Sequence, residues 1–187
     1  PLVRKEFYKK DLNLLKNKKF NLLIVGGSQG ANIFNDYFKE EIIKISKKIE
    51  IKIFHQTNSK NIDNLKNFYS ENKIENFIFN FENKFVNILH QSDLCITRAG
   101  ASTLSELSVS NIPFLAIPLP SAKDNHQFEN ASFYEKQDCC WILNQSSIND
   151  QIEDVLFKII ENKNDYKKKR ENLKNLNYKN TWINVNQ

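Results

Sequence analysis

Three short stretches hold residues suited to gripping a charged, hydroxyl-rich ligand. Gly26-Gly27-Ser28-Gln29-Gly30-Ala31 follows an apolar run, Asn21 to Val25. Arg98-Ala99-Gly100-Ala101-Ser102-Thr103-Leu104-Ser105-Glu106 follows a second, Leu94 to Thr97. Lys123-Asp124-Asn125-His126-Gln127 follows a third, from Pro113 through a Pro-rich turn. All 4 glycines of the chain lie in the first two stretches. Glycine is needed where φ is positive or where backbone must approach a ligand closely. A strand-to-helix turn of that kind aims the free N–H groups of a helix's first turn outward, which suits phosphate. Ordinary tight turns would use the same glycines, and that reading stays open here.

Glu106, about one turn into the helix after Gly100, could accept hydrogen bonds from both hydroxyls of a ribose whose phosphates sit at the helix N-terminus. Thr103-Leu104-Ser105-Glu106 also fits a capping box, with Glu106 returning to the Thr103 N–H. The amide and imidazole groups of Asn125, His126 and Gln127 could read sugar hydroxyls. Capping of the next helix by Asp124 or Asn125 is the alternative. His126 could act as a base on chemistry alone, but no pattern in the sequence orients it.

Several ligand classes are disfavoured. No Gly-Lys-Ser/Thr follows Gly30, so the first turn is not a Walker loop, and it is not GxGxxG. The end of the second expected strand reads His55-Gln56-Thr57, without the acid that holds an NAD ribose. A Rossmann dehydrogenase is disfavoured on both counts. No DxD clamp is present. Cys95, Cys139 and Cys140 form no metal knuckle or disulfide framework, and His55, His90 and His126 are scattered. Neither a metal nor a cofactor is expected, and the thiols fit a reducing cytoplasm.

The elements that must position these groups alternate. Strands are expected at Asn21 to Val25, Ile51 to Thr57, Phe77 to Phe81, Leu94 to Thr97, Pro113 to Pro118 and Cys140 to Leu143. Helices are expected at Ser28 to Ser46, Ile62 to Tyr69, Phe85 to His90, Ser102 to Ser110 and Asn125 to Gln137, then about Ile148 to Ile160 and Asp165 to Leu176. The basic lead-in, Pro1 to Lys19, has weak helical character around Asp11 to Leu15. This alternation predicts an α/β fold, a doubly wound, parallel, six-stranded Rossmann-like sheet. Its first and fourth strands should flank the switch point where such folds bind ligands. One domain is expected over residues 1–165, with a helical tail over 166–187.

The chain has 187 residues, 40% hydrophobic, with net charge +5. No apolar run approaches the ~20 residues of a membrane-spanning helix. Lys167-Lys168-Lys169-Arg170 reads as a solvated helix face or as a lure for an anionic membrane. No RNA-binding aromatic motif accompanies it, so no nucleic-acid partner is expected. The opening Pro1-Leu2-Val3-Arg4 lacks Met and reads as a cut into a longer chain.

Taken in order, the three motifs together with Asn130-Ala131 resemble the MurG family of bacterial UDP-N-acetylglucosamine transferases. Pro1-Leu2-Val3-Arg4 is similar to the segment where that family's second domain begins. The resemblance covers residues 1 to about 145. It implies the C-terminal, donor-binding half of a two-domain GT-B glycosyltransferase. Such an enzyme converts lipid I to lipid II in peptidoglycan synthesis by inverting transfer, without metal or cofactor. The resemblance implies that Arg4 and Ser28 contact the UDP phosphates or their surroundings, and that Gly27, Gln29 and Gly30 beside Ser28 also bind the nucleotide sugar. Phe85 and Val86 fall at the uracil position, where a backbone group pairs with the base. Ala101, Ser102 and Thr103 give helix N-terminal N–H groups to the diphosphate, Glu106 takes the ribose hydroxyls, and Arg98, Gly100, Leu104 and Ser105 are counted among the residues that bind the UDP-sugar. Gln127, with Asn125 and His126 beside it, reads the N-acetylglucosamine. Two departures stand out: Val86 replaces a common isoleucine, and Leu119-Pro120-Ser121-Ala122 lacks a frequent histidine.

The same resemblance implies that the general base, the lipid I acceptor site and contact with the anionic membrane belong to a missing N-terminal domain. The tail around Trp182 would then pack toward that domain. The protein would be cytoplasmic, peripheral on the cytoplasmic face of the bacterial inner membrane. The alternative is a stand-alone sugar-nucleotide-binding subunit recruited by a separate membrane-bound acceptor subunit.

Overall fold

The structure, a computed structural model, describes residues 3–7 and 19–178. The expected helical character at Asp11 to Leu15 and the Trp182 segment lie outside the described residues. The order is a 3-10 turn Lys5–Phe7, β1 Phe20–Val25, α1 Gly27–Ser46, β2 Ile51–Gln56, α2 Ile62–Glu71, β3 Glu75–Phe79, α3 Phe85–Gln91, β4 Leu94–Thr97, α4 Ala101–Val109, β5 Phe114–Ala116, α5 His126–Lys136, β6 Cys140–Ile142, α6 Ile148–Glu161 and α7 Lys163–Tyr178.

The six strands form one parallel sheet in the order β3-β2-β1-β4-β5-β6. Alternate residues point to opposite faces, and the apolar strand sequences bury both. Leu22 and Ile24 of β1, Ile53 of β2 and Ile96 of β4 face Phe34, Phe38, Ile42 and Ile45 of α1, Leu65 of α2, and Ile152 and Leu156 of α6. Leu23, Phe54, Cys95 and Phe114 face Leu89 of α3, Leu104 and Leu107 of α4, Ala131 of α5 and Leu173 of α7. The sheet is therefore doubly wound, as the alternation predicts. Strand order reverses between β1 and β4, which places the switch point where the two glycine turns fall.

Boundaries differ in two places that matter. β3 spans Glu75–Phe79 rather than Phe77 to Phe81. Phe79 is its last buried residue, and its carbonyl accepts the Thr57 N–H at 2.8 Å. Beyond it Glu82 accepts the Lys84 N–H at 2.8 Å and turns the chain into α3. The point at residue 165 where the tail was expected to begin lies inside α7. The described part of that helix docks on the domain. Leu173 is fully buried, the Tyr166 hydroxyl donates to the Asp93 carbonyl at 2.6 Å, and Asn172 donates to the Asp138 carbonyl at 2.9 Å.

One buried polar pair holds α2 to the sheet. His55 and Tyr69 meet at 3.0 Å with both rings buried. Burial pushes His55 down to about 3, so it is a neutral core histidine.

Candidate functional site

The carboxyl ends of β1 and β4 are neighbours, with Val25 in register with Thr97. The Arg98 N–H bonds the Val25 carbonyl at 3.3 Å and ties the two turns together. After β1, Gly27 has φ +65°, a left-handed conformation that side-chain-bearing residues adopt at a cost. It is also the first residue of α1, so that helix starts one residue earlier than expected. Ser28, Gln29 and Gly30 form its first turn; their side chains lie outside what is described. After β4, Gly100 is the N-cap of α4 in extended conformation, with no side chain bonded across the cap. A Cβ added at Gly27 or Gly100 would meet no atom within 4 Å. Open space therefore lies over both turns.

In α4, Ala101, Ser102 and Thr103 occupy the first three positions, where N–H groups have no carbonyl one turn back. Ala101 and Ser102 are exposed. Leu104 instead uses its N–H on the Gly100 carbonyl at 3.0 Å and buries its side chain in the core. Ser105 donates to the Ala101 carbonyl at 2.9 Å. Of this run, the helix start faces the open space, while Leu104 docks the helix.

Glu106 lies in the second turn of α4. Because the cap is Gly100, Thr103 sits inside the helix, and the capping-box alternative is excluded. Helical side chains lean toward the N-terminus, so this carboxylate leans back toward the open start of α4. It is half-buried, and its carboxyl is raised above the ordinary range. Desolvation is the main cause; the Arg4 cation opposes it and the Glu6 carboxylate adds to it. Arg4 itself is exposed, paired with Glu6 at 3.0 Å and set 5.0 Å from the Phe7 ring centre. Phe7 is buried and its carbonyl accepts the Ser110 hydroxyl at 3.0 Å, which anchors this segment to the end of α4. Thus Arg4 and Glu106, about a hundred residues apart in sequence, act on each other.

Arg98 is turned inward and is only 6% exposed. Its guanidinium donates to the Ile117 carbonyl at 3.1 Å and to the Gln145 side chain at 2.7 Å, and lies 4.8 Å from the Phe34 ring centre. It clamps β4, β5, α1 and the start of α6 beneath the cleft. Burial lowers its pKa.

After β5, Asn125 caps α5 in a left-handed conformation, φ +54°, without a side-chain cap bond. The expected alternative of capping by its side chain is therefore absent. His126 is the first residue of α5 and exposed. Gln127 accepts the Leu119 N–H at 2.9 Å and so holds the Pro-rich loop against α5. Asn130 donates to the Ala99 carbonyl at 3.0 Å, which fixes α5 to the α4 turn. At the other end, Phe85 and Val86 open α3 with their side chains packed on the core. Their backbone N–H groups, in the first turn, are the ones a base could meet.

The model of the glycosyltransferase family 28 C-terminal domain matches residues 21–181, most of the chain. The chain belongs to that family. A curated relative from Pelagibacter ubique (strain HTCC1062) is 51% identical over 187 residues, 99% of this chain and 52% of the relative. It is named UDP-N-acetylglucosamine--N-acetylmuramyl-(pentapeptide) pyrophosphoryl-undecaprenol N-acetylglucosamine transferase. A relative of the same name from Rickettsia bellii is 36% identical over 151 residues, 79% of this chain and 42% of its own length. The crystal structure of Acinetobacter baumannii MurG matches with TM-score 0.73 and 26% identity, over 90% of this chain and 47% of that one. This family 28 domain therefore spans about half the length of the relatives it matches, and its architecture is that of half a GT-B glycosyltransferase.

Three features of the domain escaped the sequence reading. Phe81 is 80% exposed at the carboxyl end of β3, where a strand reading had enclosed it. Gln145 completes the Arg98 clamp, and Gln56 bonds the Gly27 turn at 3.1 Å. Phe81 could have been found from its place three residues before Lys84, where the chain must turn. The two glutamines carry no sequence signal, because their partners lie far along the chain.

Among the described residues no helix is long and apolar enough to cross a membrane. The basic run is partly spent within the domain. Lys168 pairs with Asp138 at 2.8 Å, and the buried Lys169 bridges Asp138 and Asp165 beside the Trp141 ring.

Proposed function

We propose that this chain is the donor-binding half of an inverting N-acetylglucosaminyltransferase that uses UDP-N-acetylglucosamine. One observation carries this reading: two open helix starts stand side by side at the β1/β4 switch point, with the desolvated Glu106 carboxylate leaning toward one of them. The diphosphate lies against the α1 turn at Gly27 to Gly30 and the N–H groups of Ala101 to Thr103. Glu106 accepts the ribose hydroxyls. The base lies toward β3 and α3, on the backbone of Phe85 and Val86. Gln127, Asn125 and His126 face the sugar. Arg4 adds positive charge beside the ribose and phosphates, and Arg98 shapes the floor.

In the whole protein, the acceptor's C4 hydroxyl attacks C1 of the sugar, the C1–O bond to phosphate breaks, and UDP leaves with the electron pair. The acceptor's proton passes to a base. Helix N-termini and Arg4 offset the charge that grows on UDP. The base, the undecaprenyl-linked acceptor of lipid I type and the anionic membrane surface on the cytoplasmic side are assigned to the other half of the protein. Calorimetry of the chain with UDP and UDP-N-acetylglucosamine tests this. Saturable binding of both, without sugar transfer by this half alone, is expected. No affinity for either ligand would overturn the reading.

A further inference from the structure

Gln56 ends β2, between the two edges of the proposed nucleotide site. Its Oε1 accepts the Gly27 N–H at 3.1 Å, and its Nε2 donates to the Asn80 carbonyl at 3.3 Å. One side chain therefore spans from the turn that faces phosphate to the loop that carries Phe81. The surroundings hold it there. The next residue, Thr57, donates its N–H to the Phe79 carbonyl at 2.8 Å. Its hydroxyl accepts from the Asn35 amide of α1 at 2.8 Å, a buried bond. Both ends of the bridge are thus backbone groups anchored by their own strand ends.

We propose that Gln56 is a positioning residue that fixes the distance and orientation between the phosphate turn and the base loop. Base and diphosphate contacts are thereby coupled. The residue type matters. A carboxamide accepts with one end and donates with the other, whereas an ionised carboxylate of the same length only accepts. In dinucleotide-binding sheets an acid at the end of the second strand holds a ribose. Here that place carries a neutral amide spent on two backbone groups, and the ribose role falls to Glu106 across the crevice. A negative charge at residue 56 would stand one hydrogen bond from the turn that faces the diphosphate.

This inference rests on the nucleotide reading above. Its test uses the chain with Gln56→Leu and Gln56→Glu, and titrations with uridine and with UDP. Loss of the bridge in Gln56→Leu should weaken UDP about tenfold. Gln56→Glu at neutral pH should weaken UDP further, because its charge opposes the diphosphate, while its loss for uridine should match that of Gln56→Leu. Amide NMR separates positioning from simple stability. Uridine carries no phosphate, yet it should shift the Gly27 amide resonance in the unsubstituted chain, and that shift should vanish in Gln56→Leu. Binding of UDP within twofold of the unsubstituted chain by both folded variants would overturn the inference. So would a Gly27 shift on uridine that survives the substitution. Absence of UDP affinity in the unsubstituted chain would instead overturn the nucleotide reading itself, and this inference with it.

Discussion

Glu106 shows how one residue's setting decides its role. Spacing alone left it between a cap and a ligand contact. The helix starts at Ala101, so the cap reading fails, and a half-buried carboxylate is left beside two open turns. Hydrogen bonds to a charged acceptor contribute about 1.5–3 kcal/mol. Replacing Glu106 by Gln should therefore weaken UDP binding by roughly 10- to 100-fold, measured by calorimetry. The pH dependence follows from the sign of the shift. Desolvation raises the carboxyl, and the ionised form is the one that grips hydroxyls. Affinity should fall on acidification, beginning above the usual carboxylate range, and Glu106→Gln should flatten that fall. Arg98 makes the opposite lesson. A cation next to the open Gly100 turn invites a phosphate role, yet its partners Ile117, Gln145 and Phe34 draw it inward. No local pattern could reveal partners so distant in sequence.

At the scale of elements, the alternation of apolar runs and helical spacing made the six strands and the β1/β4 switch point legible. Strand ends were less so. β3 slips toward its N-terminus because pairing with β2, not hydrophobicity, decides where it stops, and Phe81 leaves the sheet as a result. Helix α7 is the other case. Its sequence, rich in lysine and asparagine, reads as a helical tail that would pack toward a missing domain. A single stripe containing Leu173, and the lock of Lys169 on Asp138 and Asp165, dock it instead. If α7 belongs to this domain, Leu173→Ala should cost about 2–5 kcal/mol by chemical denaturation. A change of only a few tenths would return the helix to a loosely attached tail.

As a whole, the molecule presents one working edge. Both glycine turns, Glu106 with Arg4 acting on it electrostatically, the α5 loop and Phe81 gather at or near the carboxyl ends of the strands. The opposite ends carry ion pairs such as Lys19 with Glu50 and Glu75. The domain spans about half the length of the relatives it matches, and on the proposed reading the other half would close over this edge. On the same reading, the general base and acceptor groups proposed for that other half have no counterpart in the motifs of this chain. Following backbone amide resonances during a titration with UDP tests the central claim most directly. The account predicts saturable shifts concentrated at Gly27 to Gly30 and at Gly100 to Glu106, on both sides of the β1/β4 switch point. Saturable shifts confined to other surfaces, such as the groove between α1 and α2 lined by Asn35, Asn64 and Phe68, would contradict it.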